Sequence, residues 1–136
     1  MIQQSQITLP PFKRGFHLIT DVIIQQLHNL PENGMINIFL QHTSAAITIN
    51  ENFNHSVRND FESFFKRLIP DGSQYFEHNS EGDDDMPAHL KASLLGQSVI
   101  IPITNKKINL GIWQGIYFCE FRNNGGKRKL VLTVFS

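Results

Sequence analysis

The chain has 136 residues, a length that suits one domain, because two separate cores would each be too small to bury enough apolar surface. Hydrophobic residues make up 40% of the chain and include eleven Phe, which predicts a folded rather than a disordered protein. Twelve basic and twelve acidic residues cancel, so no overall field favours nucleic acid or an anionic membrane, and any ligand must be chosen by a local site.

The first eleven residues lack the basic start and apolar run of a secretory signal, and no stretch reaches the roughly 20 apolar residues of a membrane span. We therefore expect a cytoplasmic protein that has neither nucleic acid nor a membrane as its partner. Cys119 is the only cysteine, which excludes an intrachain disulfide and a thiolate zinc cage. Because it lies within an apolar run, a buried thiol is its usual state.

The N-terminal part of the chain alternates short strands with one helix. Residues 2–9 end at two prolines that cannot donate to a sheet ladder, which predicts an edge strand. Residues 16–19 predict a second short strand. Thr20 and Asp21 are expected to cap a helix that continues, on its apolar spacing, until Pro31 ends it.

Two strands and two helices are predicted in the middle of the chain. The strands, residues 35–40 and 45–49, are expected to be neighbours across a polar break. The clearest helix is residues 56–68, where apolar residues fall at helical spacing and charged residues line an opposite, solvated face. After a polar loop, Asp85 is expected to cap a shorter helix that Gly96 closes in a left-handed conformation.

The C-terminal part predicts strands at residues 98–103, 113–122 and 129–135, the last two joined in one hairpin by the turn at 123–126. Both faces of 113–122 carry bulky side chains, which indicates a strand that is covered on both sides. Together the elements predict the α+β class, with β-sandwich-like mixed sheets and two or three helices in a single domain, residues 1–136.

The first candidate site extends from His78 to His89. On the predicted helix Asp85 precedes His89 by four residues, so its carboxylate can approach that imidazole. Imidazole and carboxylate donors together suit a zinc, manganese or iron site, or a general base with an orienting partner. The alternative is that the acidic residues before the helix only serve its N-terminus, where the dipole favours negative charge. The other three histidines outside the candidate groups, His17, His28 and His55, are expected to be structural.

A second polar group, His42, Thr43 and Ser44, lies between two apolar strands. Its hydroxyls and backbone amides could hold an anion such as phosphate, or they could simply form a tight turn. Arg128 is in phase with the apolar residues that follow it. It could therefore point inward as an anion clamp, or lie on a solvated hairpin arm.

Five ordered segments of the chain resemble the YjbQ family, described as secondary thiamine-phosphate synthase, over nearly the full length. They are GFHLITD from Gly15, LQHTSAAITINEN from Leu40, VRNDFESFF from Val57, HNSEGDDDMPAHLKASLLG from His78 and GIWQGIYFCE from Gly111. The resemblance implies a mixed α+β fold with a substantial β-sandwich component, packed as a homotrimer. It also implies a polar pocket formed by the segments around His42, His78 and His89.

The activity that this description implies joins a hydroxymethylpyrimidine diphosphate to a thiazole phosphate with release of pyrophosphate. Such a reaction needs a divalent cation or basic groups to neutralise the leaving diphosphate, and donors for the second phosphate. A divalent metal, zinc, manganese or magnesium, is accordingly expected on His42, His78 and His89. The expected catalytic residues are His42, Asp85 and Glu120. The expected substrate- or phosphate-binding residues are Thr43, Ser44, Lys91, Gln114, Arg122 and Arg128.

Two other classes of function would use the same residues. One is a trimeric module that binds a metabolite without turnover, and the other is a metal-dependent hydrolase of an unknown phosphorylated small molecule. In each case the expected partner is a small phosphorylated metabolite. The sequence leaves open whether the site lies within one subunit or between two.

Overall fold

Two antiparallel sheets and three helices make up the computed structural model, which describes residues 1–136. The strands are β1 (Ile2–Leu9), β2 (Gly15–Leu18), β3 (Asn33–Leu40), β4 (Ala45–Glu51), β5 (Ser98–Thr104), β6 (Lys107–Ile108), β7 (Gln114–Glu120) and β8 (Arg128–Phe135). The helices are α1 (Thr20–Gln25), α2 (His55–Leu68) and α3 (Asp85–Leu95). The larger sheet has the order β1-β8-β3-β5-β6 and the smaller one β2-β7-β4. The predicted α+β class is confirmed.

The main core lies between the two sheets. Period-2 alternation directs Ile36, Ile38 and Leu40 of β3 inward, where they join Ile47 of β4 and Phe118 of β7 in one buried cluster. Each of these side chains is at most 1% exposed, and burying one contributes about 1.5–3 kcal/mol. The sandwich is therefore stabilised by the residues that the alternating strand patterns predict to face inward.

A third layer of helices covers the other face of the smaller sheet. The central strand β7 directs Phe118 into the main core and Tyr117 and Cys119 towards the helices, where Ala88 and Ala92 of α3 pack against them. The prediction that this strand is covered on both sides is thus confirmed. Burial raises the pKa of the Cys119 thiol well above its usual value, so the thiol stays protonated.

Helix α2 begins after Asn54, whose Oδ1 accepts a 3.0 Å hydrogen bond from the backbone N–H of Ser56. Its Phe61 and Phe65 pack on Phe16, with ring centroids 5.2 and 5.9 Å apart. The charged face is not simply solvated, as the spacing suggested, because Glu62 lies 3.3 Å from the guanidinium of Arg14. None of the three helices is long and apolar enough to cross a membrane.

Two predicted strand pairings are wrong. Strands β7 and β8 form no hairpin, because β7 pairs with β2 and β4 whereas β8 pairs with β1 and β3. Likewise β3 and β4 belong to different sheets. In both cases the two strands lie in opposing layers and bury apolar faces against each other, and β7 also buries its second face under the helices. Segments 41–44 and 121–127 therefore cross between the sheets, and they meet at one end of the sandwich, where Ala45 pairs with Glu120.

The helix ends also differ from expectation. Helix α1 ends at Gln25, well before Pro31, and Thr20 does not cap it: its Oγ1 accepts a hydrogen bond from the backbone N–H of Ile116. The N-cap of α3 is Asp84, so Asp85 is the first helical residue and its side chain is free to point elsewhere. Gly96 does end α3 with a positive φ of 94°.

Candidate functional site

A single buried carboxylate organises the end of the sandwich where the crossovers meet. Asp85 is 1% exposed, and its Oδ2 lies 2.6 Å from Nε2 of His78 and 3.3 Å from Nε2 of His89. Its Oδ1 accepts a 2.6 Å hydrogen bond from Nη1 of Arg122. Burial alone would raise the pKa of Asp85, but the hydrogen bond from His78 and the charges of Arg122 and His89 hold it below its usual value. The carboxylate is therefore ionised at neutral pH.

The hydrogen bonds of His89 fix its tautomer. Nδ1 lies 2.9 Å from the carbonyl oxygen of Thr43, and because a carbonyl can only accept, Nδ1 must carry a proton. In a neutral ring the lone pair is then on Nε2, which faces the ionised Oδ2 of Asp85. Two lone pairs at 3.3 Å repel each other unless positive charge, either a proton or a metal ion, lies between them.

The donor atoms of His78, Asp85 and His89 all lie within 4.8 Å of one another. Ligands of a tetrahedral ion at about 2.0–2.1 Å would be separated by about 3.3 Å from each other. The distance between His89 and Asp85, 3.3 Å, meets this value, whereas the 2.6 Å between His78 and Asp85 is that of a direct hydrogen bond. The side chain of His78 is 44% exposed, so it has room to swing away by the required fraction of an ångström. The three residues thus fit a divalent ion.

Arg122 anchors the acidic loop to the crossover. Its Nε lies 3.1 Å from Oδ2 of Asp84, and its Nη2 donates a 2.9 Å hydrogen bond to the carbonyl of Glu81. Asp84 also accepts from the backbone N–H of Asn123, at 2.8 Å. Burial would raise the pKa of Asp84, but this N–H and Arg122 outweigh it and lower the pKa. Arg122 thus holds the two carboxylates and the carbonyl of Glu81 with three of its five N–H donors, and its predicted phosphate role stays a prediction.

A second buried ion pair lies where the two segments that cross between the sheets, 41–44 and 121–127, meet. Arg128 donates to both carboxylate oxygens of Glu120, at 2.9 and 2.6 Å, and to Oγ of Ser44 at 3.0 Å. Glu120 is fully buried and Arg128 is 5% exposed, so the pair lies below the surface of the chain. Of the two readings of Arg128, the inward one is right, but its partner is Glu120 rather than phosphate. These contacts form a buried ion pair with a structural part, and the catalytic role predicted for Glu120 and the phosphate roles predicted for Ser44 and Arg128 stay predictions.

His42 lies near the Arg128–Glu120 pair and is not part of the group formed by His78, Asp85 and His89. Its Nε2 accepts a 2.8 Å hydrogen bond from the backbone N–H of Lys129, which occupies the lone pair that a metal would need. Burial, followed by the charge of Arg128, lowers the pKa of His42 and keeps the ring neutral. Where the sequence predicted His42 as the third ligand, the structure offers Asp85. Thr43 contributes its backbone carbonyl to His89, and its side chain is exposed.

Two further predicted substrate-binding residues lie elsewhere. Lys91 is 1% exposed, with its Nζ 5.6 Å from the ring centroid of Phe121, and the charges that act on it most are those of Arg14 and Asp71. Burial lowers its pKa. Gln114 is at the far end of β7 from Glu120, and its Oε1 accepts from the backbone of a neighbouring turn. Within one chain, neither residue belongs to the site.

Sequence reasoning missed the anchoring role of Asp84, which it counted only among the acidic residues of the loop that leads to the helix. Its partner Arg122 is 38 residues away, a separation that leaves no local signal. It also missed the carbonyl of Thr43, because a backbone atom leaves no trace in residue type. The strand register that brings it to His89 could have been found only by knowing that β3 and β4 lie in different sheets.

Fold and site together define a class: a two-sheet α+β domain with helices on one face, in which a buried aspartate joins two histidines and an arginine. The family model described as "UPF0047 protein YjbQ-like" matches residues 5–136. The chain therefore belongs to the YjbQ-like UPF0047 family.

Relatives from several lineages agree with this assignment. The UPF0047 protein YjbQ of Escherichia coli O157:H7 is 46% identical over 136 residues, which cover 98% of each chain. Among solved structures, an uncharacterised YjbQ/UPF0047-family protein of Clostridium acetobutylicum is 34% identical with a TM-score of 0.81, covering 96% of this chain and 99% of its own. A protein of unknown function from Sulfolobus solfataricus has a TM-score of 0.83 at 25% identity, covering 98% and 96%. These names carry no activity.

Proposed function

We propose that this protein is an enzyme that holds a divalent cation on His78, Asp85 and His89 and acts there on a phosphorylated small molecule. The supporting observation is that Nε2 of His89 lies 3.3 Å from an ionised carboxylate oxygen while its Nδ1 donates to a backbone carbonyl. In the neutral ring, a cation between Nε2 and Oδ2 would turn the repulsion of their lone pairs into attraction. Metal-binding histidines usually donate the N–H of the other ring nitrogen to a carbonyl or carboxylate, as Nδ1 of His89 does here to the backbone carbonyl of Thr43.

The donor set favours one kind of ion. Two imidazole nitrogens with one carboxylate oxygen suit zinc, manganese or ferrous iron, whereas magnesium prefers oxygen donors alone. Three protein ligands would also leave a coordination position for substrate or water. When bound, such a cation would supply positive charge to a phosphate or diphosphate group of the substrate. Of the ions expected from the sequence, zinc and manganese therefore fit better than magnesium.

The residues around the ligands favour a chemistry in which the cation carries most of the charge neutralisation. Arg122 and Arg128 already pair with Asp84, Asp85 and Glu120, so most of their positive charge is compensated before a phosphate binds. Arg122 instead fixes Oδ1 of Asp85, which leaves Oδ2 to the two histidines. In this arrangement the protein would orient the metal ligands, and the bound cation would contact the phosphate of the substrate.

The particular reaction that the family resemblance implies is the joining of a hydroxymethylpyrimidine diphosphate to a thiazole phosphate, with release of pyrophosphate. We include this transferase reaction in the proposal because a leaving diphosphate is the kind of group that a cation on these residues would stabilise. Hydrolysis of a phosphate ester would need the same ligands, with water in place of the second substrate.

The proposal is tested with protein stripped of metal and reloaded with zinc or manganese. Release of pyrophosphate from the two thiamine precursors, and of phosphate from a panel of esters, is measured before and after loading. We expect activity only after loading, and a loss of at least about a hundredfold in Asp85→Asn, because even residues that only hydrogen-bond to metal ligands typically contribute about 10–100-fold. The matched control is Asp21→Asn, at an exposed aspartate on another element. Equal activity in the stripped protein would refute the proposal.

The homotrimer that the resemblance implies is part of the proposal. The outer face of the larger sheet exposes Met35 and Phe39 of β3 and Ile100 of β5, which are 44%, 44% and 57% exposed. Neighbouring apolar residues of this size on one sheet face are uncommon on a monomer and typical of an interface. A second and third copy of the chain would cover them.

A further inference from the structure

A polar cleft of about 280 Å³ lies beside His78, in the loop between α2 and α3. This loop is a compact Ω-loop, because the backbone N–H of Gly72 donates to the carbonyl of Asp83 at 3.1 Å and so closes its two ends. Arg122 holds the same end through the carbonyl of Glu81. Because Arg122 also binds Asp85, the loop that forms the cleft is held in place relative to Asp85.

The cleft has a distinctive chemistry. The side chains that shape it are those of Ser73, Gln74, Phe76, His78, Asn79 and Asp83. They offer one hydroxyl, two amides, one imidazole, one carboxylate and one aromatic ring, but no lysine or arginine. Two arginines beside the loop pair with aspartates: Arg14 bidentately with Asp71, and Arg122 with Asp84.

This lining disfavours a phosphate inside the cleft. A phosphate there would meet the negative charge of Asp83, and the lining includes no lysine or arginine. Amides, a hydroxyl and a carboxylate instead recognise the hydroxyl or amino substituents of an uncharged molecule, and an aromatic ring offers a flat apolar surface to the face of a ring. The volume is just below the range of drug-sized pockets, about 300–1,000 Å³, so it suits one ring rather than two.

We infer that this cleft binds the uncharged ring of the substrate, a single ring with hydroxyl or amino substituents, while the phosphate of the same molecule stays outside the cleft. The inference rests on the proposed function for the position of the phosphate, and it adds the substrate's other half. His78 would serve both parts, because it lines the cleft and also contacts Asp85. Specificity for the body of the substrate would then reside in residues 73–83 rather than in the crossover segments.

The test is a set of NMR titrations of the metal-free protein with three probes: neutral D-ribose, neutral aminohydroxymethylpyrimidine and inorganic phosphate. At millimolar concentrations we expect at least one neutral ring to shift the amide signals of residues 72–83, and phosphate to leave them unchanged. The two rings distinguish a sugar from a nitrogen heterocycle. Shifts caused by phosphate alone, or by none of the probes, would overturn the inference.

Variants locate the site. Asp83→Asn exchanges a charged for a neutral hydrogen bond and should weaken binding of the ring about tenfold. Glu77→Gln removes a charge from the same loop but not from the cleft, and should leave binding unchanged. Equal affinities in the two variants would refute the assignment. A zinc titration of the same samples separates the two claims: metal binding without ring binding refutes only this inference, and the reverse refutes only the proposed function.

Discussion

Replacing Arg128 with Met tests whether the buried pair with Glu120 supports the structure or binds substrate. The change removes the three short hydrogen bonds that Arg128 gives to Glu120 and Ser44. It leaves the carboxylate of Glu120 fully buried, with only the backbone N–H of Arg122, at 3.2 Å, as a remaining donor. An uncompensated buried charge of this kind costs about 3–5 kcal/mol.

That cost is a large part of the total stability of a small domain, which is about 5–15 kcal/mol. At about 4 °C per kcal/mol for a domain of this size, the melting temperature should fall by about 12–20 °C. The free energy of unfolding is measured by urea denaturation, with circular dichroism as the signal. The double variant Arg128→Met with Glu120→Leu replaces the whole pair by apolar groups and should recover most of the loss.

Two results would contradict this reasoning. One is an Arg128→Met protein within about 1 kcal/mol of the parent, which would mean that Glu120 finds other partners or water. The other is a double variant no more stable than the single one. A phosphate clamp, by contrast, would lower ligand affinity and leave the stability of the free protein unchanged.

Three further predictions follow from the same geometry. Gly125→Ala should lower the free energy of unfolding more than Gly126→Ala does. A Cβ at residue 125 would overlap the buried carboxylate of Glu120, whereas a Cβ at residue 126 meets no atom and costs only the strain of a φ of 72°. Urea denaturation of both variants checks this difference. Burial lowers the pKa of His42, so as the pH falls the unfolded chain binds a proton at this residue before the folded chain does. The free energy of unfolding should therefore fall as the pH drops from about 6.5 towards the pKa of His42 in the folded chain. His42→Gln should reduce this pH dependence in thermal melts at about pH 7.5 and 5.5. Ile100→Lys should reduce the mass of the proposed homotrimer to that of a monomer in light scattering, and an unchanged mass would place the interface elsewhere.

The elements that could be predicted from the sequence are those whose signal is local. Helical spacing placed α2 within one residue of its true start, and the bulky residues on both faces of β7 indicated its cover on each side. The four-residue spacing of Asp85 and His89 likewise predicted their contact, which the structure places at 3.3 Å.

The rest depends on which sheet each strand joins. A short polar connection between two apolar strands looks the same in a hairpin and in a crossover, so β7–β8 and β3–β4 were both paired wrongly. Only the crossover brings the carbonyl of Thr43 to His89 and Arg122 to Asp85. Charged residues read as free ligands, Arg122 and Arg128, were already engaged by carboxylates distant in sequence.

The most direct test of the central claim is the binding of zinc and manganese to the chelator-treated protein, measured by calorimetric titration. The account predicts one ion per chain, and a loss of affinity of about 10–100-fold or more in His89→Ala and in Asp85→Asn. His28→Ala, at an exposed histidine outside the group, should bind as the parent does. A parent protein that binds neither ion, or variants that bind as tightly as the parent, would contradict the assignment of His78, Asp85 and His89 as a metal site.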